Sequence, residues 1–380
     1  MPRPTTIHSD ATANDATVQQ AAAALDRGEL VVLPTETVYG VAASAQHPEA
    51  VAALRRLRGS HAHQPFTVHL ADPADASRYV PLSGGVDRVI QRLMPGPVTL
   101  RVAVSEDAVD DRLPALGLDP SHRDAIYDGQ HIGLRCPSEA TAQAVLARAS
   151  GPVVMTGVRG AGGRPAVEAP AAAEAVGEAA ELVLDGGRCR FAKPSTIVRV
   201  TPGRVAATVA VERAGVYDER VIRRMLSWTL LVVCSGNTCR SPMAEAIARH
   251  LLAESRGLSE AELAQAGLHV ISAGLYAAQG EPATEPAVNA ARQMGLDLSG
   301  HKSRPVTTDL IDQADLILTM TEAHRLGVVS LAPWAEGKTH RLDSQGEIPD
   351  PIGADEQTYQ RTAQQMRALL ADWLKEQPGL

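Results

Sequence analysis

The stretch that most constrains this chain runs from Thr229 to Leu252, TLLVVCSGNTCRSPMAEAIARHLL. An apolar run, Leu230 to Val233, ends at Cys234; five residues intervene, and Arg240, Ser241 and Pro242 open an Ala/Glu/Arg-rich segment with helical periodicity. Strand, tight loop and helix follow in that order. A loop built on Ser235, Gly236 and Asn237 can turn its backbone N–H groups inward, and a helix starting near Ser241 adds its positive end. Such a loop is expected to cradle an anion. Arg240 closes it with a planar fork suited to two oxygens of a phosphate. Thiolate is the nucleophilic form of cysteine, and helix N-termini and arginine neighbours favour it. Cys234 is therefore the candidate nucleophile, poised for in-line attack on a phosphoryl group held above it.

The wording VCSGNTCRSPMAEA resembles the low-molecular-weight protein phosphatases, and the likeness runs from about Thr229 to the C-terminus. That resemblance implies a parallel sheet flanked by helices, with Ser235, Gly236, Asn237, Thr238, Cys239 and Ser241 around the phosphate. It also implies a general acid from an Asp-Pro loop, here Asp350 before the rigid Pro351, and a supporting role for His301. Ser272, in the predicted strand HVISAG, is placed to hydrogen-bond the loop and hold Asn237 in an unusual backbone state. Thr238 and the wording GNTCRSPMAE resemble the protein-arginine phosphatases, yet Ile352 and Gly353 stand where those enzymes carry Phe after Asp-Pro. Phosphoarginine is favoured over phosphotyrosine, and both stay open. Arsenate reductases share the loop but need further thiols downstream, and no Cys follows Cys239.

At 380 residues the chain is expected to form two domains. A net charge of -8 argues against a generic nucleic-acid coat protein. Four cysteines, two of them inside the loop, are no secreted disulfide framework, no apolar run approaches membrane-spanning length, and the start is polar. The cytoplasm is the expected location. The expected boundaries are a loose tail over 1–14, an α/β domain with a twisted mixed sheet over 15–216, a short helical linker over 217–228, and a second α/β domain over 229–380.

In the first domain strands are expected at Leu30 to Leu33, running into a polar turn at Pro34 to Thr37, and near Phe66, Pro97, Ile132, Val153, Leu182 and Thr196, with helices over Val18–Leu25, Pro48–Arg58, Gly85–Leu93 and Glu139–Ala149. The polar, Pro- and Gly-containing stretch from Asp107 to Gln130 reads as a mobile loop or lid. PTETVYGVA, MPGPVTL, IGLRCP, VLDGG and PSTIV, in that order, are similar to the YrdC-like threonylcarbamoyl-AMP synthases, over about Asp15 to Val216. Those enzymes join L-threonine, bicarbonate and ATP into an intermediate used to modify an adenosine of certain tRNAs. The resemblance puts Thr35, Thr37 and Tyr39 at the threonine end of the cavity, and Ser195, Thr196 and Arg213 at the nucleotide.

The departures concern charge. Where the family has a Lys-x-Arg-x-x-x-Lys run for the ATP phosphates, this chain has Arg58, Gly59, Ser60, His61, Ala62, His63 and Gln64, and Gly157, Val158 and Arg159 replace a Ser-Ala-Asn turn. Only Arg58 keeps a fixed charge in that run, with Arg159 or Arg164 as candidate replacements. Weakened synthase activity is expected, against two alternatives: a fully active synthase, or a non-catalytic RNA- or nucleotide-binding module with weak or indirect tRNA contact. No metal and no cofactor are expected for the phosphatase half; ATP, with magnesium, enters as a substrate of the first half.

Overall fold

The Val- and Leu-rich runs of the N-terminal half are apolar at successive positions, so both faces of their strands must be covered. In the computed structural model, which describes residues 5–8, 15–59 and 63–377, they form one ten-stranded mixed sheet. Its strands are β1 (Thr5–His8), β2 (Val31–Leu33), β3 (Gly40–Ser44), β4 (Thr67–His69), β5 (Val98–Ala103), β6 (His131–Arg135), β7 (Val153–Gly157), β8 (Leu182–Asp185), β9 (Thr196–Thr201) and β10 (Thr208–Arg213). The order is β1-β8-β2-β3-β7-β4-β6-β5-β9-β10. Alternation divides the core: Val32, Val41, Ala43 and Val154 join one apolar cluster, and Val31, Leu33, Ala42 and Met155 join another with the helix Asp15–Asp26.

Three expectations are corrected here. Residues Thr5–His8 are not tail but an edge strand, parallel to β8; the rest of the 1–14 stretch lies outside the described residues. The stretch from Asp107 to Gln130 is no lid. It folds into short helical turns at Glu106–Asp110, Pro114–Leu116 and Pro120–Ala125, which bury Leu113, Leu116, Leu118, Ile126 and Tyr127 in the main cluster. Its isolated apolar residues, spaced by Pro, Gly and Asp, suit three-residue turns rather than any longer period. The third correction is to the linker: the helix Glu219–Leu226 belongs to the first unit, which runs to Leu226. Ile222 is buried, and Arg92 Nε donates to Met225 O at 2.9 Å.

The second unit begins at Ser227. Its strands β11 (Trp228–Cys234), β12 (Leu268–Gly274), β13 (Leu316–Thr319) and β14 (Thr339–Arg341) are all parallel, in the order β12-β11-β13-β14. Every residue of β11 is buried. Leu230, Val232 and Cys234 pack with the helices Arg240–Arg256, Glu285–Gln293 and Glu356–Lys375, while Leu231 and Val233 pack with Thr308–Gln313 and Glu322–Leu331. Helices on both faces of a parallel sheet leave the carboxyl ends of the strands as the open crevice. The chain leaves β11 toward β12 on one side and returns to β13 on the other, so Cys234 ends the strand at which the winding reverses. Among the described residues, no helix is long and apolar enough to cross a membrane.

Candidate active site

Cys234 is paired in register with Gly274, the last residue of β12. A Cβ on Gly274 would stand 2.5 Å from Ser235 O and 2.8 Å from Asn237 N, so the loop can lie against β12 only because no side chain is there. Within the loop Asn237 takes a left-handed backbone at φ 54°. A non-glycine residue persists there only when its surroundings over-determine it. They do: its Nδ2 donates to Ser272 Oγ at 2.8 Å and to Ser241 Oγ at 2.9 Å, and its Oδ1 accepts from Arg304 N at 2.9 Å. Its carbonyl can only accept, so His301 donates to it through Nε2 at 2.7 Å. Ser272 Oγ in turn donates to the buried Glu245 Oε2 at 2.6 Å. So anchored, Asn237 donates its backbone N–H to Cys234 Sγ at 3.3 Å, and Ser241 Oγ lies 2.9 Å from the same sulfur.

Arg240, the first residue of the following helix, is 4% exposed. Its Nη1 donates to Ile348 O at 3.0 Å, and its Nη2 contacts Ser235 Oγ at 3.4 Å and forms an ion pair with Asp350. The Asp350 side chain is 42% exposed, and its Oδ1 accepts from Ile352 N at 3.2 Å. A buried guanidinium stripped of its anion is costly, so an incoming oxyanion can replace the carboxylate as partner and leave Asp350 free at its edge. Sulfur, inward amide, guanidinium and carboxyl are thus brought together, as the sequence spacing requires.

The first unit holds a cavity of about 320 Å³ whose wall includes Thr35, Arg58, His69, Arg135, Ser195 and Arg213. Thr35 Oγ1 donates to Val38 O at 2.6 Å, and Ser195 Oγ pairs with Thr99 Oγ1 at 2.9 Å. Arg58 is spent on its own chain: its guanidinium lies 3.6 Å from the Phe66 ring centre and donates to Gln64 O at 2.6 Å and Pro65 O at 3.0 Å. Burial, with Arg55 adding, lowers its pKa to about 10. Burial also lowers that of Arg213, helped by Arg159 and Arg135. His69 is held neutral, pushed down to about 3 by burial and by Arg135.

Three residues assigned to this cavity stand off its wall. The Tyr39 hydroxyl turns to Gly187 O at 2.7 Å, Thr196 Oγ1 donates to Tyr217 O at 2.8 Å, and Thr37 is fully buried, accepting from Arg135 Nη2 at 2.7 Å. Each hydroxyl is consumed by the protein because burial obliges it to find a partner. Gln64, Gly157 and Arg159 do line the cavity, whereas Ser60, His61 and Ala62 lie outside the described residues.

Comparison with known proteins fits this division. Residues 23–215 match the Sua5/yciO/yrdC family, described as Telomere recombination, and residues 229–377 match the family described as Low molecular weight phosphotyrosine protein phosphatase. The low molecular weight protein-tyrosine-phosphatase Ptp of Acinetobacter johnsonii is 37% identical over 148 residues, 38% of this chain and 95% of that protein. The chain belongs to both families. The protein-arginine-phosphatases of Bacillus subtilis (strain 168), 35% identical over 39% of this chain and 95% of that protein, and of Geobacillus stearothermophilus, 33% over 38% and 93%, are similar to the same part.

The phosphatase unit is a low-molecular-weight phosphatase of the tyrosine/arginine type, a hydrolase. Around its loop stand residues that no local pattern announced. Glu245 lies under Ser272, His324 Nε2 is 2.8 Å from Ser235 Oγ, and Cys239 Sγ is 3.2 Å from Thr284 Oγ1 and 3.7 Å from Tyr359 OH. In the YrdC unit the same holds for Glu36, whose Oε1 takes Arg135 Nη2 at 2.8 Å. Arg135 sits within IGLRCP, and a charge closing the apolar run Ile132–Leu134 was the signal available.

Proposed function

We propose that the phosphatase unit hydrolyses phosphorylated protein side chains through a cysteinyl-phosphate intermediate, with phosphoarginine preferred over phosphotyrosine. The observation that carries the reading is Cys234 Sγ accepting the Asn237 N–H beneath an Arg240–Asp350 pair. The Cys234 thiolate forms the sulfur–phosphorus bond as the bond to the leaving nitrogen or oxygen breaks, and Asp350 delivers its proton to that leaving atom. Arg240 and the loop amides neutralise the phosphoryl oxygens throughout. Asp350, now a carboxylate, takes a proton from water, which attacks phosphorus and returns the thiolate with inorganic phosphate. Ser235, Gly236, Thr238, Cys239 and Ser241 frame the anion, while Ser272 and His301 keep Asn237 in place.

The preference rests on Thr238, whose hydroxyl suits a guanidinium head, and on the residues after Asp-Pro. Ile352 is 67% exposed and Gly353 has no side chain, so that loop offers no aromatic grip for a phenyl ring. Thr238→Ile is expected to shift the ratio of kcat/KM toward phosphotyrosine peptide over phosphoarginine peptide by about tenfold, the scale of one good polar contact. An unchanged ratio contradicts the preference.

For the YrdC unit the proposed function is a weakened L-threonylcarbamoyladenylate synthase. Thr35 and Ser195 stand on the cavity wall, at the threonine and nucleotide ends respectively, while at the triphosphate end Arg58 is tied to its own backbone and Gln64 and Gly157 carry no charge. Each lost cation in a desolvated phosphate site costs kcal/mol, so threonine- and bicarbonate-dependent pyrophosphate release is expected roughly 10²-fold below that of an ordinary synthase. Equal rates contradict this and favour a rearranged, fully active site. Four free cysteines suit a reducing compartment such as the cytoplasm.

A further inference from the structure

His324 lies on the helix Glu322–Leu331, one turn after its cap Thr321, and is 6% exposed. Its Nδ1 is 2.8 Å from Thr321 Oγ1 and its Nε2 is 2.8 Å from Ser235 Oγ, the residue next to the nucleophile. Ser235 Oγ also receives Arg240 Nη2 at 3.4 Å, and the same Nη2 pairs with Asp350. Thr321, His324, Ser235, Arg240 and Asp350 therefore form one unbroken line from a helix cap to the carboxyl over the loop mouth.

Proton bookkeeping along this line has few solutions. Burial, then the Arg240 charge, holds the His324 pKa below its ordinary value, against smaller opposing pulls from Asp350 and Glu347. The neutral ring has one donor and one acceptor nitrogen. Thr321 Oγ1 accepts the His324 backbone N–H at 3.3 Å and keeps a hydroxyl proton that it can donate to Nδ1. In the tautomer with Nδ1 as acceptor, Nε2 carries hydrogen and donates to Ser235 Oγ. With both Nε2–H and Arg240 donating to it, the Ser235 oxygen has its lone pairs filled. Its own proton is left over, and Ser235 is only half-buried on the loop.

We propose that His324 is a positioning residue of the phosphatase: relayed from Thr321, it orients Ser235 so that the serine oxygen braces Arg240 and the serine hydroxyl proton is given to the bound phosphoryl oxygens. The inference rests on the cysteinyl-phosphate reading of this loop and adds a side-chain donor to its ring of amides. A hydrogen bond to a charged oxyanion is among the stronger kinds, and its loss is felt wherever that oxyanion is bound.

The test is competitive inhibition by inorganic phosphate of p-nitrophenyl phosphate hydrolysis, using the full chain and His324→Ala, Ser235→Ala, the double variant and His324→Gln. Each single alanine variant is expected to raise the phosphate inhibition constant about tenfold. The double variant should be no worse than Ser235→Ala, because the histidine acts only through the serine. His324→Gln, whose amide N–H can replace Nε2–H, should recover most of the loss. An unchanged constant in either single variant, additive losses, or no rescue by glutamine overturns the proposal. Should His324→Ala melt below the assay temperature, Ser235→Ala still decides, because it keeps the imidazole. A Cys234→Ser protein as active as the unaltered chain would instead contradict the cysteinyl-phosphate reading itself.

Discussion

Cys234→Ser is expected to end steady-state turnover, lowering kcat/KM on phosphopeptides by roughly 10⁴-fold or more. The reason lies in what surrounds the sulfur. Asn237 N–H and Ser241 Oγ approach it at 3.3 Å and 2.9 Å, and neither is a base. Sulfur attacks as the thiolate, a form open to a thiol without a neighbouring base; a serine hydroxyl, far weaker as an acid, stays protonated. Any phosphoryl group the serine did accept would remain, since an alkoxide leaves much less easily than a thiolate. The check is kcat/KM measured on phosphoarginine and phosphotyrosine peptides with the melting temperature as a control for folding. Residual activity within tenfold of the unaltered protein contradicts the assignment of the nucleophile.

Asp350→Asn is the second large effect. The amide keeps the shape of the side chain beside Arg240 but has no acidic proton to deliver, so kcat/KM on peptide substrates, which reports the steps up to the cysteinyl phosphate, should fall by about 10² to 10⁴. The loss must depend on the leaving group. A phosphoarginine or tyrosyl peptide needs protonation as its bond to phosphorus breaks, whereas p-nitrophenolate leaves without it. The ratio of the two losses therefore separates acid catalysis from damage to Arg240, whose buried guanidinium loses its carboxylate in the variant. Equal losses on both substrates place the defect in Arg240 and contradict the role of acid.

The two sites were legible to different degrees, for one physical reason. Phosphate chemistry demands a nucleophile, a cation and a helix start within a few residues, so Cys234, Arg240 and the loop between them carry their geometry in their spacing. Ser272 could be reached as well, because it lies on the strand hydrogen-bonded to β11 and points toward Asn237. Glu245 and His324 could not. Each sits among other polar residues on its helix, and only the fold pairs Glu245 with Ser272, 27 positions on, and His324 with Ser235, 89 positions back. The first unit shows the opposite error. Tyr39 and Thr196 sit inside family wording, yet their hydroxyls are taken by Gly187 O and Tyr217 O, partners on segments that no sequence period connects to them. Most of the apolar strands were read correctly, but Gly40–Ser44, buried at every position, was not separated from the strand and turn before it. Two short or half-exposed ones, Thr339–Arg341 and Thr208–Arg213, gave no comparable signal.

The decisive measurement is mass spectrometry of the acid-quenched Asp350→Ala protein after brief exposure to p-nitrophenyl phosphate, whose leaving group does not need the missing acid. In that variant the water step should lag, because nothing at the loop mouth removes its proton. The account predicts a phosphoryl group on the sulfur of Cys234, absent when Cys234 is also changed to serine. Turnover without any phosphocysteine, or a phosphoryl group trapped on a different residue, would contradict it.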